Sequence, residues 1–322
     1  MSRVTGGEDL PPPPVSVVEE IRGLGQALDA EIPARSTTNL LIATWNLRAF
    51  GGFTGKWQAS SGDSPKRDWH ALACIAEIVS RFHVIALQEV RRDTTALRML
   101  MDLLGPDWRM IASDVTEGDP GNDERLVYVY DTQRAQPSGL VGEIVIPAEA
   151  TGPVQQFART PYAASFSAGH AEFTLTTVHV LWGKKPADRL PEITRFAEWM
   201  RDWADRPSDF NENLLVLGDF NLDRIGDPLF NAFVSTGLFP PAELDKVKRT
   251  VFDDDGSNNF YDQIAWFSTA EGESLLRSMT YTRRGGGFDF VPHTFTDLTV
   301  AEMSWRISDH YPLWVEFEIP PQ

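Results

Sequence analysis

The sequence predicts a single α/β domain with β-sheet at its centre and helices outside. Three observations predict it. Apolar runs of strand length recur along the chain. Amphipathic segments with helical spacing lie between several of them. Neither a repeat at solenoid periods nor an internal linker divides the series. Several runs are apolar throughout, as strands covered on both faces require.

Taken in order, residues 1–38 read as a partly ordered N-terminal extension. Pro11 to Pro14 form a stiff stretch, and Val17, Ile21, Leu24 and Leu28 follow at helical spacing, weakened by Gly23 and Gly25. The domain proper runs over 39–322. Its strand candidates are 40–45, 84–87, 126–130, 173–178, 214–217, 264–267 and 313–317. Trp69, Leu72, Ile75, Ala76, Val79 and Phe82 make one helical stripe. Leu97, Leu100, Met101 and Leu104 make another, stopped by Gly105-Pro106. Ile193, Phe196, Ala197, Met200 and Trp203 make a third, entered through Pro191. Asp227-Pro228 has the form of an N-cap followed by proline at the first helical position, and Gly237 ends that short helix. Arg283 to Gly287 reads as a plain flexible connection.

Composition narrows the function classes. The formal net charge is -17, which works against a strong nonspecific grip on nucleic acid. Carboxylates that hold a metal also count as negative, so a polyanionic substrate stays open. Cys74 is the only cysteine, so there is neither an intramolecular disulfide nor a cysteine-based zinc site. No apolar run approaches the ~20 residues that span a bilayer. The N-terminus lacks the apolar core of a signal peptide. The expectation is a cytoplasmic monomer without a membrane span.

The chemistry is concentrated where apolar runs stop. Asn46, Glu89, His179 and Asp219 each follow one, and Asn221 stands two residues beyond Asp219. Asp262 precedes the run at 264, and Asp309-His310 precedes the last one. A carboxylate at the edge of a dry core must be paired, hydrogen-bonded or bound to metal. No matching set of Lys and Arg stands at these ends. Asn46, Glu89, Asp219 and Asp309 offer hard oxygen ligands, which favours Mg²⁺, with Mn²⁺ or Ca²⁺ as alternatives. Mg²⁺ with few protein ligands completes its shell with water and phosphate oxygens, so a phosphate ester is the expected substrate, nucleic acid among the candidates. Hydrolysing one demands barrier reductions of order 20 kcal/mol, more than any single group supplies.

Eight blocks then appear in order across residues 40 to 317: TWNLR, LQEV, DERLVYVYD, FARTP, TVHVLWG, GDFNLD, FYDQIAW and SDHYP. In these blocks the sequence resembles the endonuclease/exonuclease/phosphatase superfamily, the deoxyribonuclease I-like proteins. The resemblance implies a four-layer α/β sandwich, two packed mixed β-sheets flanked by helices. It also implies roles. Glu89 and Asp309 would be the metal carboxylates, and Asn46 would bind metal or phosphate from the opposite side. Asp219 would orient or deprotonate the attacking water, and Asn221 would donate to the phosphoryl oxygen. His310, held by Asp262, would bind phosphate. His179, held by Glu124, would be the second active-site histidine. Arg159 would approach substrate phosphate, with Arg125 supporting Glu124. Asp219 and Asn221, two apart in extended chain, are expected on one face.

Three activities fit: a nuclease or other phosphodiesterase, a phosphomonoesterase or lipid-headgroup phosphodiesterase on the same site, or a binding module that kept the fold without catalysis. Trp182-Gly183-Lys184-Lys185 reads equally as a phosphate-and-base loop or a solvated basic turn. His70 and His83 read as structural.

Overall fold

All seven apolar runs form strands, and the residues between them complete two six-stranded sheets. The structure, a computed structural model, describes residues 11–119, 121–146, 156–253, 259–269 and 273–320. The first sheet contains β1 (Asn39–Phe50), β2 (Val84–Arg91), β3 (Trp108–Ala112), β4 (Glu124–Asp131), β11 (Thr280–Gly287) and β12 (Leu313–Glu318), in the order β11-β12-β1-β2-β4-β3. The second contains β5 (Gln136–Glu143), β6 (Tyr162–Ala168), β7 (Ala171–His179), β8 (Leu214–Asp219), β9 (Leu238–Phe239) and β10 (Asp262–Phe267), in the order β5-β6-β7-β8-β10-β9. Both sheets are mixed: β1 runs parallel to β2 and β7 parallel to β8, and the remaining pairs are antiparallel.

Side-chain alternation builds the layers. Leu40 and Ile42 pack with Phe166, Phe173, Leu175, Leu215 and Leu217 between the sheets. Leu41, Ala43 and Trp45 turn the other way, onto α1 (Val15–Glu31), α2 (Trp69–Val79), α3 (Thr95–Leu104) and α6 (Val300–Ser304). On the far side, Val178 and Val216 pack against α4 (Leu190–Asp205) and α5 (Pro228–Val234). This is the four-layer sandwich, with an apolar stripe of each helix closing the outer face of a sheet.

The helix ends follow their local chemistry. Asp68 caps α2 by accepting from Ala71 N at 2.9 Å, and Asp227 caps α5 by accepting from Phe230 N at 2.7 Å. Gly105 stops α3 at φ 93°. In the extension, α1 buries Val17, Leu24 and Leu28 in the same cluster as Trp69 and Leu72. His70 Nε2 lies 2.7 Å from Glu20 Oε1 and so links α2 to α1.

One expectation changes. The Arg283 to Gly287 stretch is no flexible connection but most of β11, an edge strand whose Gly285, Gly286 and Gly287 pair with Val315, Trp314 and Leu313. At Gly287 a side chain would meet Val247 Cγ1 at 2.7 Å, so this edge packs too closely for anything larger. The strands without an apolar run, β3, β5, β6, β9 and β11, are mostly edge strands or rich in small residues. Among the described residues, no helix is long and apolar enough to cross a membrane.

His83 enters β2 with its backbone N–H on Leu41 O at 2.9 Å, and its Nδ1 accepts from Leu41 N at 2.7 Å. Burial, with Arg35 and Arg134 nearby, drives its pKa down to about 3. An unfolded histidine takes up a proton near 6.5, so the stability tied to neutral His83 is whole above that value and fades as pH falls toward 3. Thermal melts from about pH 7 to about pH 4 should therefore show a smaller loss of stability in H83Q than in the parent protein. Identical acid limbs would contradict this account.

Candidate active site

Strand direction brings the polar residues to one edge. Glu89, His179 and Asp219 lie at the ends of parallel-running β2, β7 and β8, while Glu124 and Asp262 open the antiparallel strands β4 and β10 beside them. Register then fixes neighbours. His179 stands opposite Asp219, and Asp219 opposite Asp262, which makes a row across three strands. Gly218 permits the crossing, because at its φ of 134° a side chain would meet Val178 O at 2.2 Å. In the first sheet, Arg91 stands opposite Glu124, and register shifts between Asn46 and Phe50 and between Leu87 and Val90 break the ladder around Glu89. Glu89 itself has φ 58° and Ala49 φ 48°, a re-aiming of side chains such as bulges produce beside active sites.

Asp219 is the point where the sheets meet. Its Oδ2 accepts from Asn46 Nδ2 at 3.0 Å, across the sandwich. Its Oδ1 accepts from Asn221 N at 2.9 Å. His179 Nε2 lies 3.7 Å from Oδ2. The expected extended geometry of Asp219 and Asn221 is corrected here. β8 ends at Asp219, and Asn221 turns to φ 51° with its Nδ2 donating to Val180 O at 2.7 Å. A turn closed by the aspartate side chain places the two residues, not strand alternation.

On one side of this row lies Glu124, 2% exposed. Its Oε2 is 2.6 Å from Arg159 Nε and 2.8 Å from His179 Nδ1, and its Oε1 accepts from Asn122 Nδ2 at 2.6 Å. Burial alone would push this carboxyl up. The His179 contact and the charges of Arg159 and Arg91 outweigh it and hold the pKa at about 2. Arg125 does not support Glu124 as expected: it donates to Ser113 O at 3.1 Å, and Arg159 and Arg91 take that place.

On the other side stands the His310 pair. Asp262 Oδ2 is 2.7 Å from His310 Nδ1. Burial pushes Asp262 up to about 6 against the pull of the imidazole. Burial opposes a charge on His310 as well, yet Asp262, with Asp219 and Asp309 beyond it, raises His310 to about 10. The contact favours an imidazolium facing a carboxylate, each charge stabilising the other. The donor atoms of Asp219, Asp262 and His310 lie within 4.8 Å of one another, as do those of Glu89, Glu124 and His179.

Asp309 is paired with Arg48. Its Oδ2 is 3.6 Å from Arg48 Nε, whose guanidinium stacks on Trp305 at 3.8 Å. Glu89 Oε2 accepts from Ala49 N at 2.8 Å. Asn46 Oδ1 is buried and, among the described residues, has no hydrogen-bond partner. An orphaned amide oxygen is a hard-oxygen donor, as are the Glu89 and Asp309 carboxylates, and donors of this chemistry fit a cation of the Mg²⁺ type.

Three buried arginines frame the site, and nothing in the residue pattern announces them. Arg67 donates to Arg48 O at 2.9 Å, Ala49 O at 3.2 Å, Arg306 O at 3.0 Å and Ile307 O at 3.0 Å, so it ties the end of β1 to the segment before Asp309. Burial lowers its pKa to about 10, while Glu89, Asp309 and Asp68 favour the charge. Arg249 donates to Asp262 O at 3.2 Å, and Arg189 donates to Asn221 O at 2.6 Å. Ser308 links the two halves again, donating to Asn46 O at 2.6 Å and accepting from His310 N at 3.1 Å. Replacing Arg67 with methionine strands carbonyls of two segments at once. Urea unfolding of R67M should show a loss of about 3 kcal/mol, and R67K, without the planar fork, should fall between. A loss of a few tenths would refute the clamp.

Comparison with known proteins completes the description. The model of the Endonuclease/Exonuclease/phosphatase family matches residues 43–310. A deoxyribonuclease of Thioalkalivibrio sp. (strain K90mix) is 25% identical over 303 residues, covering 89% of this chain and 73% of its own length. Deoxyribonuclease-1-like 1 of Rattus norvegicus is 26% identical over 261 residues, covering 77% and 76% respectively. Among solved structures, the human Nocturnin catalytic domain with bound sulfate anion has a TM-score of 0.57 at 14% identity. It covers 89% of this chain and 97% of that one, a likeness of fold.

Proposed function

This chain belongs to the endonuclease/exonuclease/phosphatase family, and on that premise we propose that it is a divalent-metal-dependent phosphodiesterase of the nuclease kind. The observation that carries this reading is the buried row His179–Asp219–Asp262 with His310 set on Asp262. Two buried carboxylates and two imidazoles at one sheet edge are suited to moving a proton beside an anionic ester. The deoxyribonuclease relatives add support for a diester.

Each residue has a distinct task in this reading. Glu89, Asp309 and Asn46 Oδ1 would hold a cation, Mg²⁺ by donor hardness, with Mn²⁺ or Ca²⁺ as substitutes. When bound, it would supply positive charge against the phosphoryl oxygens. Asp219, fixed through both oxygens by Asn46 and Asn221, orients a water for in-line attack on phosphorus and draws its proton. The opposite P–O bond breaks, and the leaving oxygen departs with the electron pair and takes a proton from solvent. His310, kept cationic by Asp262, binds a non-bridging phosphate oxygen. Asn221 has one amide hydrogen on Val180 O and directs the other at the phosphoryl group. His179, held by Glu124, binds phosphate from the opposite side. Arg159 Nη1 is buried without a hydrogen-bond partner among the described residues and completes the cradle.

Hydrolysis of bis(p-nitrophenyl) phosphate should vanish on chelation and return with Mg²⁺ or Mn²⁺. D219N and H310A should each lower kcat by roughly 10² to 10⁴ without changing the far-ultraviolet circular dichroism. Turnover undiminished in excess chelator would sink the metal-dependent reading. Faster turnover of p-nitrophenyl phosphate than of the diester would move the assignment to a phosphomonoesterase.

A further inference from the structure

An exposed tryptophan stands beside this site and is built not to move. Trp182 follows His179 by three residues and is 52% exposed. Its ring meets Tyr261 edge to face at 5.5 Å, and Tyr261 in turn lies 5.9 Å from the His310 ring. The buried Arg189 guanidinium packs on the indole at 4.2 Å. The same guanidinium donates to Trp182 O at 2.8 Å, Asn221 O at 2.6 Å and Asp223 Oδ1 at 2.8 Å. One buried cation thus fixes both the tryptophan and the Asn221 turn. Lys184 and Lys185 are exposed on the same loop, a local pair of positive charges in a chain of net charge -17.

A large aromatic surface open to solvent and anchored by a cation is suited to stacking against a flat partner. Its place, two ring contacts from the phosphate-binding histidine, is within reach of a substituent of the scissile ester. Resting on the phosphodiesterase reading, we propose that Trp182 is a stacking platform for the nucleobase next to the scissile phosphate, with Lys184 and Lys185 meeting the following phosphate. The substrate class is then a nucleic acid strand whose flanking base is free of a duplex. A paired base is already stacked on both faces and cannot reach the ring. An aromatic platform of this kind tolerates any base. Because the ring is fixed before substrate arrives, little conformational entropy is lost on stacking.

The test compares thymidine 5′-(p-nitrophenyl phosphate), which carries a base, with methyl p-nitrophenyl phosphate, which does not. W182A should lower the thymidine-to-methyl ratio of kcat/KM by about tenfold, mostly through KM, and W182F should keep the ratio within about threefold. Wild-type enzyme should cut a single-stranded oligonucleotide faster than the same strand in a duplex, and W182A should lose that preference. A ratio unchanged in W182A, with the melting temperature retained, overturns the platform while leaving the phosphodiesterase reading intact. Equal slowing of both esters also overturns it, because a merely structural role through Arg189 would do that. Failure to hydrolyse either ester in Mg²⁺ or Mn²⁺ overturns the phosphodiesterase reading itself.

Discussion

The two sheets are joined at their polar edge by buried polar contacts: Asn46 Nδ2 to Asp219 Oδ2 at 3.0 Å, Gln88 Nε2 to Thr177 Oγ1 at 2.9 Å and Glu124 Oε2 to His179 Nδ1 at 2.8 Å. Apolar packing between the sheets is nondirectional and would tolerate a small slide. The buried Tyr128 hydroxyl, 2.9 Å from both Tyr162 O and Leu175 O, adds to the directional contacts. These bonds would not tolerate a slide. Displacing one sheet by a strand position leaves a buried amide or carboxylate unpaired, at a cost well above the roughly 1 kcal/mol a made hydrogen bond contributes. The seam therefore selects one docking of the sheets, and that docking sets where Asn46 of one sheet faces Asp219 of the other.

Around this seam the protein uses guanidinium groups as braces. Arg67, Arg189 and Arg249 are each at most 3% exposed and spend most of their hydrogen bonds on backbone carbonyls of the loops that carry polar residues. A lysine could not reach several carbonyls in a plane, and an apolar side chain would leave them bare. The braces also place positive charge beneath Glu89, Asp309 and Asp262. That offsets carboxylate repulsion from below and leaves the solvent side of the edge to carboxylate and imidazole groups.

The central strands were legible in sequence because they are covered on both faces and so read as unbroken apolar runs. The polar residue closing each run was legible for the same reason, since such a residue is conspicuous beside Val, Ile and Leu. The edge strands were not. β5 alternates between exposed and half-buried positions and includes Pro137, and β11 consists largely of threonine, arginine and glycine and pairs with β12 alone. The Asn221 geometry was misread because a side-chain-closed turn and an extended strand place the same residue two positions apart. The braces were invisible for a different reason. Arg67 bonds to carbonyls, which every residue carries, so no partner residue type marks its position in the sequence. Trp182 reads two ways in sequence because nothing there marks Arg189, the cation that packs on its ring.

The pairing of β12 with β1 has a consequence for how the chain comes to fold. Asn39 pairs with Glu318 and Thr44 with Leu313, so an inner position of the first sheet is filled by a segment some 270 residues downstream. Until that segment emerges from the ribosome, β1 presents an apolar open edge, and β11 has no strand to hold it. Contacts so distant in sequence form late and slowly. The Ser308-Asp309-His310 turn leads directly into β12, so the polar edge is assembled in the same late step. A growing chain is thus exposed to aggregation longest at β1, and any activity that needs both His310 and Asp219 is withheld until the sandwich has closed.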